Sequence, residues 1–340
     1  MHTSRPTVSV IIPTRKINRY LLEETLPALQ KQSFRRFEVI ILPDFILNRY
    51  DSLIKIYPWL KILTIKDKSK PGSKRDFGAV NASGQFLAFI DDDVFPTSNW
   101  LKNAVKLFKE RPTIDLIGGP GILPKKTNTW EIIFDEILKR PLGSGEYNYR
   151  FTKKPERLVD DYPAMNLLIR KNTFFKLGGF HTQYWPGEDS KLTNRAANLA
   201  KKLVLYHPEV TVYHHRRTSL HSHLTQHSNY GLTRGAFFAQ GDKNSTKLMY
   251  LIPAFFTLYL VGLSVLWGMS MVFTPNLTIL IICLLPIFLY LLACLYLAIQ
   301  VFVKRKNPVV AVAAVFVLFL THIVYGVNFV QGFIGELIKR

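Results

Sequence analysis

Asp91, Asp92 and Asp93 stand in a row directly after the apolar run Phe86-Leu87-Ala88-Phe89-Ile90. A run of that length and composition predicts a buried strand. In an open α/β sheet, the end of such a strand is where the ligand crevice lies. Strand alternation sends Asp91 and Asp93 to one side and Asp92 to the other. Three adjacent anions repel one another, so the arrangement gains little without a cation. Hard divalent ions such as Mg2+ and Mn2+ take oxygen ligands and commonly bridge carboxylates to a substrate's phosphates. The plainer alternative is a solvated acidic turn before a helix that Thr97 or Ser98 would start. A second acidic pair, Glu188-Asp189, follows Trp185-Pro186-Gly187 and opens a helix, where carboxylates are also favoured by the dipole.

The elements that must position these groups alternate. Thr7–Ile12, Phe37–Leu42, Leu60–Ile65 and the run at 85–90 read as strands. Helical patterns lie between them at 19–31 and 72–83, and Gly84 follows the second. This alternation predicts a mixed, mostly parallel α/β sheet flanked by helices. Further on, helices are expected after Asn99, at Lys171–Leu177 and at 188–200, with strands at Ile114–Ile117, Ala164–Ile169 and within Leu203–Tyr213. Residues 124–158 carry a weak pattern and read as a long loop region around a helix at 129–139. Asp160 and Asp161 precede a strand and would contact an acceptor or cap a turn.

The 340 residues are 48% hydrophobic, enough for a large domain and a membrane region. No charged residue occurs from Leu248 to Val303. At about 20 residues per crossing this holds two spans, 248–273 and 277–303, with Thr274-Pro275-Asn276 between them. A third is expected at 308–335. The divisions expected are a catalytic domain at 1–217, an amphipathic interfacial connector at 218–247 and a membrane region at 248–340. Lys304-Arg305-Lys306 between the last two spans predicts a cytoplasmic loop. Counting back places the N-terminal domain in the cytoplasm of a cell inner or plasma membrane, and the N-terminus carries no apolar run of the export type. Cys283 and Cys294 both fall in the second span, so no disulfide framework is implied. The net charge of +20 suits an anionic membrane surface and anionic substrates. Nucleic acid is set aside, because no motif for it occurs.

The ordered set Val8-Ser9-Val10-Ile11-Ile12-Pro13-Thr14, Phe37-Glu38-Val39-Ile40-Ile41, Gly72 to Asp93, Gly178-Gly179-Phe180, Glu188-Asp189 and Val212-Tyr213-His214 resembles a family 2 glycosyltransferase with the glycosyltransferase-A type nucleotide-sugar fold. The resemblance covers roughly residues 7–217. It implies that the triplet acts as an Asp-x-Asp metal motif. Asp91 and Asp93 would be metal ligands for Mn2+ or Mg2+, with Asp91 and Asp92 also on the nucleotide sugar. Pro13, Thr14 and Asp44 would line the nucleotide, although Leu42-Pro43-Asp44-Phe45 departs from the paired aspartates usual there. Lys74 and Arg75 match a basic position facing the nucleotide, their alternative being a solvated helix face. Asp76 stands where Asn is more usual. Asp189 matches the general base, Glu188 orients the loop or an acceptor hydroxyl, and His214, rather than His215, completes the metal site. Tyr230, Arg234 and Gly235 fall where membrane-bound relatives carry basic residues. His221, His223 and His227 read as interfacial residues rather than a metal cluster.

The function implied is metal-dependent, inverting transfer from a nucleotide-sugar donor to a membrane-associated acceptor, a lipid-linked glycan or envelope polysaccharide precursor, with membrane lipids as further partners. A polyprenyl-phosphate sugar synthase is the near alternative. A phosphate nucleophile needs no strong base, so a dispensable Asp189 would point to it. A processive synthase fits less well, since spans before the catalytic domain and a Gln-x-x-Arg-Trp motif are both absent from the sequence. A nucleotidyltransferase would need a Gly-rich loop where Pro13-Thr14-Arg15-Lys16 stands. A non-catalytic membrane protein is disfavoured by Asp91, Asp93 and Asp189 occurring together, and spans without charge offer little for transport.

Overall fold

The structure, a computed structural model, describes residues 5–46, 50–65, 70–270 and 276–339. The described residues form two compact units, one of residues 1–124 with 149–215 and one of residues 125–148 with 216–340. Thr274 and Pro275 of the expected turn lie outside the described residues.

The first unit is built on an eight-stranded sheet. Its strands begin with β1 (Val8–Pro13), β2 (Phe37–Leu42), β3 (Leu60–Ile62) and β4 (Phe86–Ile90). The remainder are β6 (Ile114–Gly118), β8 (Arg157–Val159), β9 (Asn166–Arg170) and β10 (Leu203–Tyr206). The order is β3-β2-β1-β4-β9-β6-β10-β8. β1 pairs in parallel with β2 and β4, whereas β9 runs antiparallel to both β4 and β6. β1, β2 and β4 are buried at every position, as continuous apolar runs require when a sheet is covered on both faces.

A second, three-stranded sheet joins β5 (Val94–Pro96), β7 (Gly121–Ile122) and β11 (Val212–His214). Helices α1 (Leu26–Gln30), α2 (Asp51–Ile56), α3 (Pro71–Val80), α4 (Trp100–Glu110), α7 (Lys171–Lys176) and α8 (Glu188–Asn194) connect the strands. α4 begins after Asn99, and no side-chain cap from Thr97 or Ser98 is used. One buried side chain ties these layers together. Asn166, wholly buried, accepts from the Trp100 indole at 2.9 Å and donates to the carbonyls of Gly119 and Val210 at 2.6 and 2.7 Å. Its donors and its carbonyl are thereby satisfied in a place water does not reach.

The second unit contains α5 (Thr129–Leu138), α6 (Pro141–Ser144) and α9 (Leu220–Ala239). It ends with α10 (Leu248–Ser270), α11 (Leu277–Arg305) and α12 (Pro308–Ile338). The last three include segments long and apolar enough to cross a membrane, Leu248–Met269, Thr278–Arg305 and Pro308–Ile338. α5 starts at a capping box, with Asn128 and Glu131 exchanging hydrogen bonds at 2.9 and 3.0 Å. Its Ile133, Phe134 and Ile137 are buried with Leu297 and Val301 of α11 and Val310, Ala314 and Val317 of α12. The helix expected at 129–139 is present as α5, the loop region expected around it also carries α6, and α5 packs with the apolar C-terminal helices. α9 packs closely on α12: a Cβ added to Gly235 would sit 2.0 Å from the Phe329 carbonyl oxygen. Within this unit the ring of His223 stacks on Phe134 at 4.0 Å and its Nε2 meets Thr321 Oγ1 at 3.0 Å. Burial holds His223 well down, at about 2, so it stays neutral.

Candidate active site

β4 ends at Ile90 and the chain turns through the three aspartates into β5. β11 lies antiparallel to β5 with His214 opposite Val94, so the sheet register carries the imidazole to Asp93. His214 Nε2 lies 3.4 Å from Asp93 Oδ1. One ligand atom each from Asp91, Asp93 and His214 fall within 4.8 Å of one another. Asp92 turns the other way, where it accepts a hydrogen bond from Thr14 Oγ1 at 2.5 Å. Residues 91–93 lie in the turn between β4 and β5, so the turn and not strand alternation sets these directions. Two carboxylates and one imidazole form a donor set suited to a hard divalent ion such as Mn2+ or Mg2+. The resemblance implies the same three residues as metal ligands, and the fold brings them together.

α3 supplies the cations. Lys74 and Arg75 are both buried, at 4% exposure, so the solvated helix face does not describe them. Lys74 Nζ donates to the Asp44 carboxylate and to the Thr14 carbonyl, tying the ends of β1 and β2 to α3. Pro13, at the end of β1, pairs with Leu42 in the sheet. Arg75 is a fork: Nη2 meets Asp91 Oδ1 at 2.6 Å and Nη1 meets Glu188 Oε1 at 2.8 Å. A guanidinium does this and an ammonium does not, because two donors leave its plane in fixed directions. Asp76, beside it, accepts from the Phe180 amide at 2.8 Å and so fixes the Gly178-Gly179 turn.

Among the described residues no cation forms an ion pair with Asp189. Its oxygens accept from the amides of Ser190 at 2.8 Å and Ala164 at 3.2 Å. Burial, then the charges of Glu188 and Asp161, raise its pKa from 3.8 to about 6. That brings a carboxylate close to the range of a working general base. Asp161 is buried and accepts from the hydroxyl of Ser190 at 3.1 Å, holding the start of α8. His215 points away from the metal cluster to Glu24, at 2.9 Å. Glu24 and Asn166 were not singled out from the sequence. Glu24 sits in a helical pattern where a carboxylate is ordinary, and Asn166 lies inside an apolar run, the one available sign being its polarity there.

A mixed sheet with carboxylates at the end of its central strand and a cationic helix beside them is the α/β class that binds ligands at the carboxyl edge. Residues 9–175 match the model of glycosyl transferase family 2, and this part of the protein is a domain of that family. Among curated proteins, the chain is 26% identical over 230 residues to a pre-mycofactocin glycosyltransferase of Mycobacterium tuberculosis, covering 67% of this chain and 47% of that one. It therefore spans about half the length of that relative. It is 24% identical to a dolichyl N-acetyl-alpha-D-glucosaminyl phosphate 3-beta-D-2,3-diacetamido-2,3-dideoxy-beta-D-glucuronosyltransferase of Methanococcus voltae, covering 96% of this chain and 97% of that one. Among solved structures, a mannosyltransferase from Pyrobaculum calidifontis in complex with GDP-Man and Mn2+ superposes with a TM-score of 0.59 at 15% identity. The superposition covers 94% of this chain and 88% of that one, so the likeness of fold includes the C-terminal helices.

Proposed function

We propose that the protein is a membrane-anchored, metal-dependent, inverting glycosyltransferase. It moves a sugar from a nucleotide-sugar donor to a membrane-associated acceptor, a lipid-linked glycan or envelope polysaccharide precursor. The observation that carries this is the meeting of Asp91, Asp93 and His214 within 4.8 Å at the end of β4. The relatives add weight: that of Methanococcus voltae is named for a dolichyl phosphate substrate, and the Pyrobaculum structure holds GDP-Man and Mn2+.

Asp91, Asp93 and His214 would hold Mn2+ or Mg2+, and such an ion supplies positive charge against the diphosphate as it leaves. Lys74 and Arg75 keep the neighbouring carboxylates in place. Pro13, Thr14, Asp44 and Asp92 form the part of the site that faces the nucleotide. Asp189 takes the proton of the acceptor hydroxyl. The acceptor oxygen then forms a bond to the anomeric carbon as the bond from that carbon to the diphosphate oxygen breaks, and displacement from the far side inverts the centre. Lys304-Arg305-Lys306 favours a cytoplasmic face for the sugar-donor site.

The test uses purified full-length protein with UDP-, GDP- and dTDP-sugars, Mn2+ or Mg2+ and membrane lipid extract, scoring released nucleotide and labelled lipid. Metal-dependent release from one donor, with label entering lipid and an inverted anomer by NMR, is expected. Release that persists undiminished in EDTA, or no turnover of any donor with extract present, contradicts the reading.

A further inference from the structure

We infer that Glu24 is a positioning residue for the metal cluster: through His215 it fixes the strand pair that brings His214 to Asp93. The inference rests on the metal-dependent reading above and adds a residue beyond the three proposed ligands.

β5 and β11 have three residues each, and strands of that length are weakly held by their own ladder. The two imidazoles at the end of β11 part company. His214 Nε2 lies 3.4 Å from Asp93 Oδ1, whereas His215 Nε2 lies 2.9 Å from Glu24 Oε2. Between them the backbone is tied back, since the His215 amide donates to the Asp93 carbonyl at 3.1 Å. Holding the His215 ring therefore holds His214 and Asp93 in one frame.

The hold on that ring is close on two sides. His215 is 5% exposed, and the ring of Tyr20 lies 4.4 Å from its own, beside the Glu24 carboxylate. Glu24 belongs to a π turn, Leu21–Thr25, that leads into α1. Such turns are rare and frequently occur at functional sites. The last residue of this one, Thr25, is wholly buried and donates from Oγ1 to the Val94 carbonyl at 2.8 Å. A single turn thus grips both strands, β11 through Glu24 and β5 through Thr25. Val94 is also the residue that His214 pairs with, so both grips act beside the rung that carries the cluster.

The contact is polar where an apolar one would fill the space. Taking a carboxylate and an imidazole largely out of water offsets much of what their contact contributes to stability. What the polar contact adds is direction, and ligand geometry depends on partners that lock the side chains around it.

The experiment titrates Mn2+ into full-length protein in detergent. Free ion is read from its aqueous EPR signal, and imidazole ligation of the bound ion from the nitrogen modulation of its spin echo. Glu24→Ala removes the contact, and Glu24→Gln keeps a polar atom that suits either tautomer of His215. Ser9→Ala is the stability control, because Ser9 is wholly buried near the start of β1 and donates to Glu38 Oε1 at 2.6 Å. The Kd for Mn2+ is expected to rise about tenfold or more in Glu24→Ala, with a weaker nitrogen signal, and to return close to wild type in Glu24→Gln. Ser9→Ala should lower the unfolding temperature and leave the Kd unchanged. The inference is overturned if Glu24→Ala keeps wild-type affinity and nitrogen signal, if Glu24→Gln binds no better than Glu24→Ala, or if Ser9→Ala weakens binding as much. Failure of the metal reading is told apart by the wild type: it would show as no Mn2+ binding there, and would take this inference with it.

Discussion

Asp189 links the chemistry of the site to its stability. A carboxylate whose pKa is raised from 3.8 to about 6 contributes stability that is complete below the unfolded value and lost as the pH rises through about 6. As the proposed base it must be ionised, so activity is expected to run the opposite way. The rate of transfer is expected to climb with an apparent pKa near 6, and Asp189→Asn to lower kcat by about 10²–10⁴-fold. The same variant should raise the unfolding temperature at pH 8 and leave it unchanged at pH 4, measured by scanning fluorimetry in detergent. A variant that loses activity without that pH-dependent gain would mean the carboxylate is not held as described. Much at this scale was legible beforehand, because local spacing reports local chemistry. The triplet after an apolar run and the acidic pair opening a helix are such patterns. What the sequence hid is who meets whom. That Lys74 would be buried against Asp44, or that Arg75 would reach Glu188, 113 positions on, as well as Asp91, depends on tertiary approach that no spacing encodes.

Among elements, the pairing of β5 with β11 is what brings the sequence-distant His214 to the neighbouring Asp91 and Asp93. The turn through residues 91–93 sets which aspartates share a side, and the register of His214 on Val94 sets the third member. The layers carrying these strands are pinned at Asn166. Asn166→Ala would strip the Trp100 indole and the Val210 carbonyl of their partner and leave the Gly119 carbonyl with the Tyr162 hydroxyl alone, and is expected to destabilise the first unit by about 2–4 kcal/mol. Hydrogen exchange should report it as lost protection in β6 and β9 with protection in α12 unchanged; equal loss in both would contradict the assignment to one unit. The short strands β5, β7 and β11 were the least visible in the sequence. They run only two or three residues, too few for a period to show, and are held by pairing rather than by propensity.

On the scale of the molecule, the insertion at 125–148 belongs with the apolar helices and not with the sheet. The pattern around it is weak because α5 is buried on more than one side, leaving no clean polar face to read. Its anchor is Glu136, wholly buried, which accepts from Arg140 at 2.6 Å and from Arg305 Nε at 2.8 Å, with Lys304 at 3.4 Å. Burial pushes this carboxyl up, but the bonds from Arg140 and Arg305 and the charge of Lys304 outweigh it and the net shift is down. Its contribution is present above the ordinary 4.5 and lost as the pH falls through the lowered value. Because Arg305 and Lys304 are 31% and 51% exposed, the loss in Glu136→Gln is set at about 1–3 kcal/mol, below that of a fully buried pair. The gap in unfolding temperature between wild type and Glu136→Gln should be open at pH 7 and close in acid. A gap that stays constant to pH 3 would show that the ion pairs are not its source. The basic residues at the end of α11, read from the sequence as an orientation signal, are thus also engaged with this carboxylate.

The measurement closest to the central claim is equilibrium binding of a nucleotide sugar to the purified protein, titrated with and without Mn2+, in wild type and in Asp93→Ala. Binding that requires the ion and weakens by about 100-fold or more in Asp93→Ala is the result expected of a metal-dependent donor site. Full-affinity binding without metal, or binding undisturbed in Asp93→Ala, would contradict the account.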